Sequence, residues 1–117
     1  MDTILAAVSD LMFTVKILDA AKASGRKARF VKSLETALHA IRETRPPLVV
    51  VDLNCRDFDT LDLIRSMKTD PDLASIRTLG FLSHVQEGRK QEAIAAGCDQ
   101  VVPRSVFSDR TGVLLAG

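Results

Sequence analysis

The chain has 117 residues, a length that fits one domain with its own hydrophobic core. Apolar residues make up 46% and charged residues 26%, and 16 basic residues against 15 acidic ones leave a net charge of +1. This balance excludes a general attraction to nucleic acid or anionic membranes, and no apolar run approaches the ~20 residues of a membrane span. We therefore expect a cytoplasmic globular protein that binds neither nucleic acid nor membrane.

The first predicted unit is a strand followed by a helix. The apolar run Thr3–Val8 is typical of a buried strand, and Ser9 and Asp10 can cap the helix that follows. Apolar side chains then recur at spacings of three and four, which predicts one helix face turned toward the core. The residues predicted to form that face are Leu11, Met12, Val15, Leu18 and Ala21.

Four further strands alternate with helical patterns. Helix caps are predicted at Ser33 and Asp59, and the final segment Ser105–Ala116 can hold one short helix with Ser108 as an internal candidate cap. The fourth helix is predicted over Gln86–Ala96, with Gly97 as its stop. The remaining predicted strands are Ala28–Val31, Leu48–Leu53, Thr78–Ser83 and Gln100–Val102.

This alternation favours a parallel sheet covered by helices on both faces. Right-handed crossovers leave few topologies, and we predict an α/β flavodoxin-like (βα)5 three-layer sandwich with strand order 2-1-3-4-5, spanning residues 1–117 as one domain. Ligands bind such sheets at the carboxyl ends of the strands, near the switch between strands one and three. The polar residues predicted to meet there are Ser9, Asp10, Asp52, Asn54, Ser83 and Arg104.

Three segments carry a family resemblance that covers nearly the whole chain. VVVDLNCRDFDTLDLIRSMK, FLSHV and AAGCDQVVPRS resemble the receiver domain of bacterial response regulators. The resemblance implies two-component signalling or a phosphorelay, no enzymatic activity, and protein partners such as a histidine kinase. It places the phospho-accepting role on Asp52 and the phosphoryl contacts on Ser83 and Arg104. For Mg²⁺ the resemblance implies ligands at Asp52 and Asn54, and the nearest acidic residue at the end of the first strand is Asp10, which follows the family's positions.

The chain departs from the family pattern at several of these positions. Val8 and Ser9 stand where the first strand of the family ends in an acidic pair, and Arg104 and Ser105 replace a Lys-Pro pair. Val101 stands where the family has an aromatic switch residue, so no ring can swing between buried and exposed positions. We therefore expect that no cofactor is required and that Mg²⁺ binds weakly if at all.

Arginine at position 104 changes the expected chemistry of the site. A guanidinium can hold a carboxylate with two hydrogen bonds, whereas the lysine ammonium is a flexible point charge. We expect Arg104 to grip Asp52 or Asp10, which would neutralise the site without a metal. With Ser105 in place of proline, the Arg104–Ser105 peptide bond is predicted to be trans. Asp52 is then either a working phospho-acceptor or an inherited structural partner of the arginine.

Three functions follow as alternatives. The first is a stand-alone pseudo-receiver that acts by binding proteins, with a homodimer through helix four, strand five and helix five as one candidate assembly. The second is an active receiver phosphorylated at Asp52. The third, a small-molecule module on the same fold, is disfavoured because the chain has no GxGxxG motif and the loop after strand one has no glycine.

The remaining reactive residues carry weaker expectations. Cys55 and Cys98 are predicted at opposite edges of the sheet as reduced thiols. His39 is expected to be solvated, and His84 is a candidate contact for a phosphoryl group or a partner. The apolar tail Val113–Leu115 is expected to dock on its own core or on a partner.

Overall fold

The structure, a computed structural model, describes residues 3–83 and 86–116. Five parallel strands form one sheet in the order β2-β1-β3-β4-β5, which confirms the predicted flavodoxin-like topology. Each strand boundary lies within one residue of its predicted position. The strands are β1 (Thr3–Ala7), β2 (Lys27–Phe30), β3 (Leu48–Asp52), β4 (Arg77–Leu82) and β5 (Gln100–Pro103). The helices are α1 (Leu11–Ala23), α2 (Leu34–Thr44), α3 (Thr60–Thr69), α4 (Glu87–Ala96), α5 (Arg104–Asp109) and α6 (Thr111–Ala116).

Two apolar layers hold the helices on the sheet. Helices α2, α3 and α4 pack on one face, and α1, α5 and α6 pack on the other. The central strand β3 is buried at every residue because both of its faces are covered, so its sequence is a continuous apolar run ending in Asp52. Val49 and Val51 point to the first layer, while Leu48 and Val50 point to the second.

The prediction of which face of α1 is buried is wrong. Phe13, Ile17 and Ala21 face the core, whereas the residues of the predicted stripe other than Ala21 are exposed. This helix is apolar on two sides, so periodicity alone could not show which side is buried. Phe13 decides the outcome, because its ring packs against Phe81 and Phe107 at centroid distances of 4.8 and 5.8 Å. Aromatic rings packed in this way are stabilised beyond the apolar area that they bury.

The C-terminal segment forms two helices where one was predicted. The break lies at Arg110, and Ser108 lies inside α5, where it caps no helix. Leu115 is buried in the layer beneath α1, and Arg26 Nη1 donates a 2.9 Å hydrogen bond to the Leu115 carbonyl at the end of α6. The tail therefore docks on the core of its own chain and leaves only Val113 largely exposed, at 63%.

The remaining sequence expectations have simple outcomes. Cys55 and Cys98 are both free thiols. The described residues contain no cis peptide bond, as predicted for Arg104–Ser105. His39 is solvated and contacts Glu43 one helical turn away, while His84 lies outside the described residues. None of the described helices is long and apolar enough to cross a membrane.

Candidate functional site

Asp52 lies at the carboxyl end of the central strand and is almost fully buried, with 3% of its surface exposed. Its Oδ1 accepts a 2.8 Å hydrogen bond from the Asn54 amide, and its carbonyl accepts one from Thr60 Oγ1 at 2.9 Å. Burial raises the pKa of Asp52 above its usual value, although the Asn54 amide and the charge of Arg104 act in the opposite direction. The carboxylate is therefore held in a position where its negative charge is poorly solvated.

Asp10 caps α1 and also forms an ion pair. Its Oδ1 accepts hydrogen bonds from the amides of Met12 and Phe13 at 2.9 and 3.4 Å. Its Oδ2 accepts a 3.1 Å hydrogen bond from Arg104 Nη2. The predicted cap is confirmed, and the two carboxylate oxygens of Asp10 have different partners: Oδ1 accepts from the helix amides and Oδ2 from Arg104.

Arg104 is the first residue of α5, directly after β5, and its side chain extends to the start of α1. Its guanidinium carbon lies 4.9 Å from the centroid of the Phe13 ring, a cation–π contact, while its Nη2 holds Asp10. Of the two carboxylates considered from the sequence, the direct partner is Asp10. Asp52 forms no hydrogen bond with Arg104 in the described structure. The positive charge of Arg104 acts to lower the pKa of Asp52.

These groups line a pocket of about 600 Å³ at the carboxyl edge of the sheet. Three aspartates and two arginines line it, which leaves one excess negative charge when all are ionised. Arg56 was missed from the sequence. It is an exposed residue of the β3–α3 loop, and its backbone amide donates a 3.3 Å hydrogen bond to Ser9 Oγ. The charged and amide residues of the pocket are Asp10, Asp52, Asn54, Arg56, Asp57 and Arg104.

The carboxylates of Asp10 and Asp52 already accept hydrogen bonds. Among residues 3–83 and 86–116, no group of three or more His, Cys, Asp or Glu side chains is placed to hold a metal ion. Mg²⁺ requires near-octahedral oxygen ligands, of which one or two are usually carboxylates. Asp10 is occupied by the α1 amides and by Arg104, and the guanidinium adds a positive charge beside Asp52. Both carboxylate oxygens of Asp10 are therefore already hydrogen-bonded in this arrangement.

Ser83 lines a different and smaller pocket. This second cavity of about 170 Å³ lies where the end of β4 meets α4 and Pro103, and it includes Gln86 and Lys90. The two pockets are joined through Asn54, whose Oδ1 accepts a 3.2 Å hydrogen bond from the Ser83 amide and whose Nδ2 donates to Gln86 Oε1. The structure therefore brings Asp10, Asp52, Asn54 and Arg104 around one pocket and places Ser83 in the next.

Val101, at the expected switch position, is partly buried on β5 and packs against the layer formed with α2, α3 and α4. A β-branched side chain has restricted rotation about χ1. No aromatic ring is available at this position to couple the pocket to the outer surface of α4.

Arg89 ties α4 to the loop that follows Asp52. Its Nε donates to the Leu53 carbonyl and its Nη2 to Asp59 Oδ1, both at 3.0 Å. The side chain is only 28% exposed. The sequence offered no signal for this contact, because the position of a helical arginine relative to a loop 30 residues away depends on tertiary packing.

Comparison with solved structures also gives receiver domains of response regulators as structures of the same fold. The chain superimposes on the signal receiver domain of a response regulator from Bermanella marisrubri with a TM-score of 0.83, at 19% identity over 98% of this chain and 95% of that one. The chemotaxis response regulator CheY4 of Vibrio cholerae gives a TM-score of 0.83 at 14% identity, covering 99% and 97% of the two chains. The Mn²⁺-bound form of response regulator Rcp1 gives 0.83 at 14% identity, covering 99% and 93%.

The chain has the receiver fold. No protein-family model and no curated protein matches the sequence. The match to receiver structures covers almost the whole chain, so the pocket around Asp52 lies at the carboxyl edge of a receiver-type sheet. The resemblance found in the sequence therefore extends to the three-dimensional structure.

Proposed function

We propose that this protein is a receiver-like signalling protein that acts by binding other proteins and does not depend on Mg²⁺ or on phosphorylation. The observation that carries the proposal is the ion pair between Arg104 and Asp10. It occupies the carboxylate of Asp10 and holds a positive charge close enough to Asp52 to act on that carboxyl. Phosphoryl transfer to a carboxylate depends on such a cation to offset developing charge.

The surroundings of the ion pair support the same function. The guanidinium is braced against the Phe13 ring, so it is held by packing as well as by charge. Val101 lacks a ring that could report a change at Asp52, and Arg89 anchors α4 to the loop that follows Asp52. A protein that needed to switch on phosphorylation would need a bistable element here. These contacts favour a single conformation.

A protein surface is available for such a partner on α4 and β5. Ile94 on α4 is 47% exposed, and the cavity beside Pro103 has an apolar wall formed by Leu82. This surface corresponds to the face proposed from the resemblance as a site for a homodimer or for a signalling partner.

Phosphorylation at Asp52 is the competing function, favoured by the placement of that carboxylate in an open pocket of about 600 Å³. Incubation with acetyl phosphate and Mg²⁺, followed by intact mass measurement, separates the two. We expect the wild-type mass to stay unchanged. A gain of one phosphoryl group that disappears in Asp52→Asn would establish the active receiver and overturn our proposal.

A positive control makes the negative result informative. The double variant Ser9→Asp/Arg104→Lys restores an acidic residue and a lysine at two positions where the chain departs from the receiver pattern. We expect this variant to gain a phosphoryl group under conditions in which the wild type does not. That outcome would show that Ser9 and Arg104 prevent phosphorylation of the wild type, because both proteins have the same fold and are tested in the same assay.

A further inference from the structure

The outer face of α1 exposes four large apolar side chains. Leu11 is 77% exposed, Met12 56%, Val15 48% and Leu18 45%. The opposite face of the same helix, formed by Phe13, Ile17 and Ala21, is already buried against the sheet. Rotation of the helix cannot bury both faces, and residues 3–83 and 86–116 leave the outer face uncovered. Contiguous apolar patches of this kind mark interaction sites.

The spacing of this face matches the seam of a coiled coil. Leu11, Val15 and Leu18 are separated by four and three residues, and the next position in the series is Lys22. In heptad terms, Leu occupies both d positions and Val an a position, which is the apolar a/d pattern of a helix–helix seam. A charged residue in the next a position ends the apolar seam at the last turn of the helix. The stripe therefore fits one partner helix of about two to three turns.

Charge is distributed unevenly along α1. At its amino end lies the pocket with carboxylates of Asp10, Asp52 and Asp57, which outnumber the two guanidiniums there. At its carboxyl end, Lys22 is followed by Arg26 and Lys27 with no acidic residue between them. Two copies of α1 packed in parallel would bring like ends together. Packed in antiparallel fashion, each basic end would meet the acidic end of the other copy.

We propose that α1 binds α1 of a second copy through the seam Leu11, Val15 and Leu18, in an antiparallel arrangement about a two-fold axis. One self-complementary surface then serves both chains, as closed two-fold dimers require. Leu11 also lines the pocket around Asp52, so the second copy would cover one side of the pocket mouth. This dimer uses a face different from α4 and β5, and it stands independently of the proposed function because it involves neither Mg²⁺ nor phosphate.

The first experiment compares two matched variants by sedimentation velocity over a series of concentrations. Leu18→Glu places a charge in the seam, while Ile94→Glu places the same charge on α4 at nearly equal exposure, 45% against 47%. We expect a wild-type dimer, a monomeric Leu18→Glu chain and a dimeric Ile94→Glu chain. Far-UV circular dichroism of Leu18→Glu checks that it remains folded, and Val15→Glu provides a second test of the seam.

A wild type that is monomeric throughout the series would overturn the proposal and leave the stripe to a helix of another protein. A dimer that is broken by Ile94→Glu and kept by Leu18→Glu would move the interface to α4. Orientation is tested by mixing Leu11→Cys and Lys22→Cys chains, both carrying Cys55→Ser, under mild oxidation. We expect disulfide-linked heterodimers. Efficient linking of Lys22→Cys chains to one another would contradict the antiparallel arrangement.

Discussion

Arg104 Nη2 donates a 3.1 Å hydrogen bond to Asp10 Oδ2, joining the first residues of α5 to the cap of α1 across 94 positions of sequence. The same guanidinium rests on the Phe13 ring, which belongs to the first turn of α1. Helix capping, the ion pair and the aromatic contact thus all involve residues 10–13. These contacts hold the positive charge of Arg104 beside the carboxylates of the pocket.

Removing the guanidinium should make the pocket more receptive to a divalent cation. We expect Arg104→Ala to bind Mg²⁺ about tenfold more tightly than the wild type, because a unit positive charge is removed from beside two carboxylates in a partly shielded site. Isothermal titration calorimetry or amide chemical shifts give the affinity, since the chain has no Trp or Tyr for intrinsic fluorescence.

Arg56→Ala is the matched control for this measurement. Arg56 lines the same pocket but is exposed and forms no ion pair with the described residues. Solvent and salt screen its charge, so we expect a smaller change in Mg²⁺ affinity. Equal effects of the two alanine variants would mean that only the net charge of the mouth matters and that the Arg104–Asp10 contact does not.

The buried carboxylate of Asp52 should make stability depend on pH in a recognisable direction. Because burial raises the pKa of Asp52 in the folded state, the folded protein binds this proton more tightly than the unfolded chain does. The contribution of Asp52 to stability is therefore most favourable below its unfolded pKa and is lost as the pH rises through the folded pKa. Ionised Asp52 thus costs stability at neutral pH.

Asp52→Asn should consequently raise the melting temperature at pH 7, and the gain should shrink as the pH falls toward the unfolded pKa of an aspartate. Thermal unfolding followed by circular dichroism at several pH values measures this difference. Asp72→Asn, in an exposed turn, should show no such trend. A gain for Asp52→Asn that grew in acid would show that the folded pKa of Asp52 is lowered.

Arg89 should stabilise α4 more than its exposed position on a helix would suggest. Arg89→Ala loses the hydrogen bonds to the Leu53 carbonyl and to Asp59, and we expect a loss of about 1–2 kcal/mol. Hydrogen exchange should quicken across α4. Arg65→Ala removes only an exposed pair with Asp62 and should change stability by less than about 0.5 kcal/mol. Equal losses of stability in the two variants would show that the contacts of Arg89 contribute no more than an exposed ion pair.

A left-handed residue ends α2. Arg45 has φ 46° and ψ 61°, a conformation that side chains with a Cβ adopt at a cost and that glycine adopts freely. We expect Arg45→Gly to stabilise the protein by about 0.5–1 kcal/mol in urea denaturation. Arg45→Ala removes the same charge but keeps the Cβ, so it should give no gain. A gain of equal size in both variants would trace the effect to charge.

The strands and their order were predictable because each strand is a short apolar run between polar segments, as in Leu48–Asp52. The orientation of α1 was not, since the helix carries apolar residues on two sides and only the contact of Phe13 with Phe81 selects one. Local sequence rules describe where a helix lies along the chain. They do not describe which of two apolar faces finds the better-shaped neighbour.

The candidate site follows the same pattern. Topology alone predicts that Asp10, Asp52 and Arg104 lie at one edge of the sheet. It does not predict which carboxylate the arginine holds, because that depends on the Phe13 ring beneath the guanidinium. Arg56 and Arg89 were missed for a related reason: both act through loop geometry that no spacing rule encodes.

The ion pair between Asp10 and Arg104 has a consequence for folding during translation. During translation the acidic cap and the central aspartate leave the ribosome well before residue 104, and they stay uncompensated until the last two helices follow. The site would then be completed only by the final segment of the domain, and a chain released short of Arg104 would carry a sheet edge with two unneutralised acids. Such a fragment should open its first helix readily and be an easy target for proteolysis.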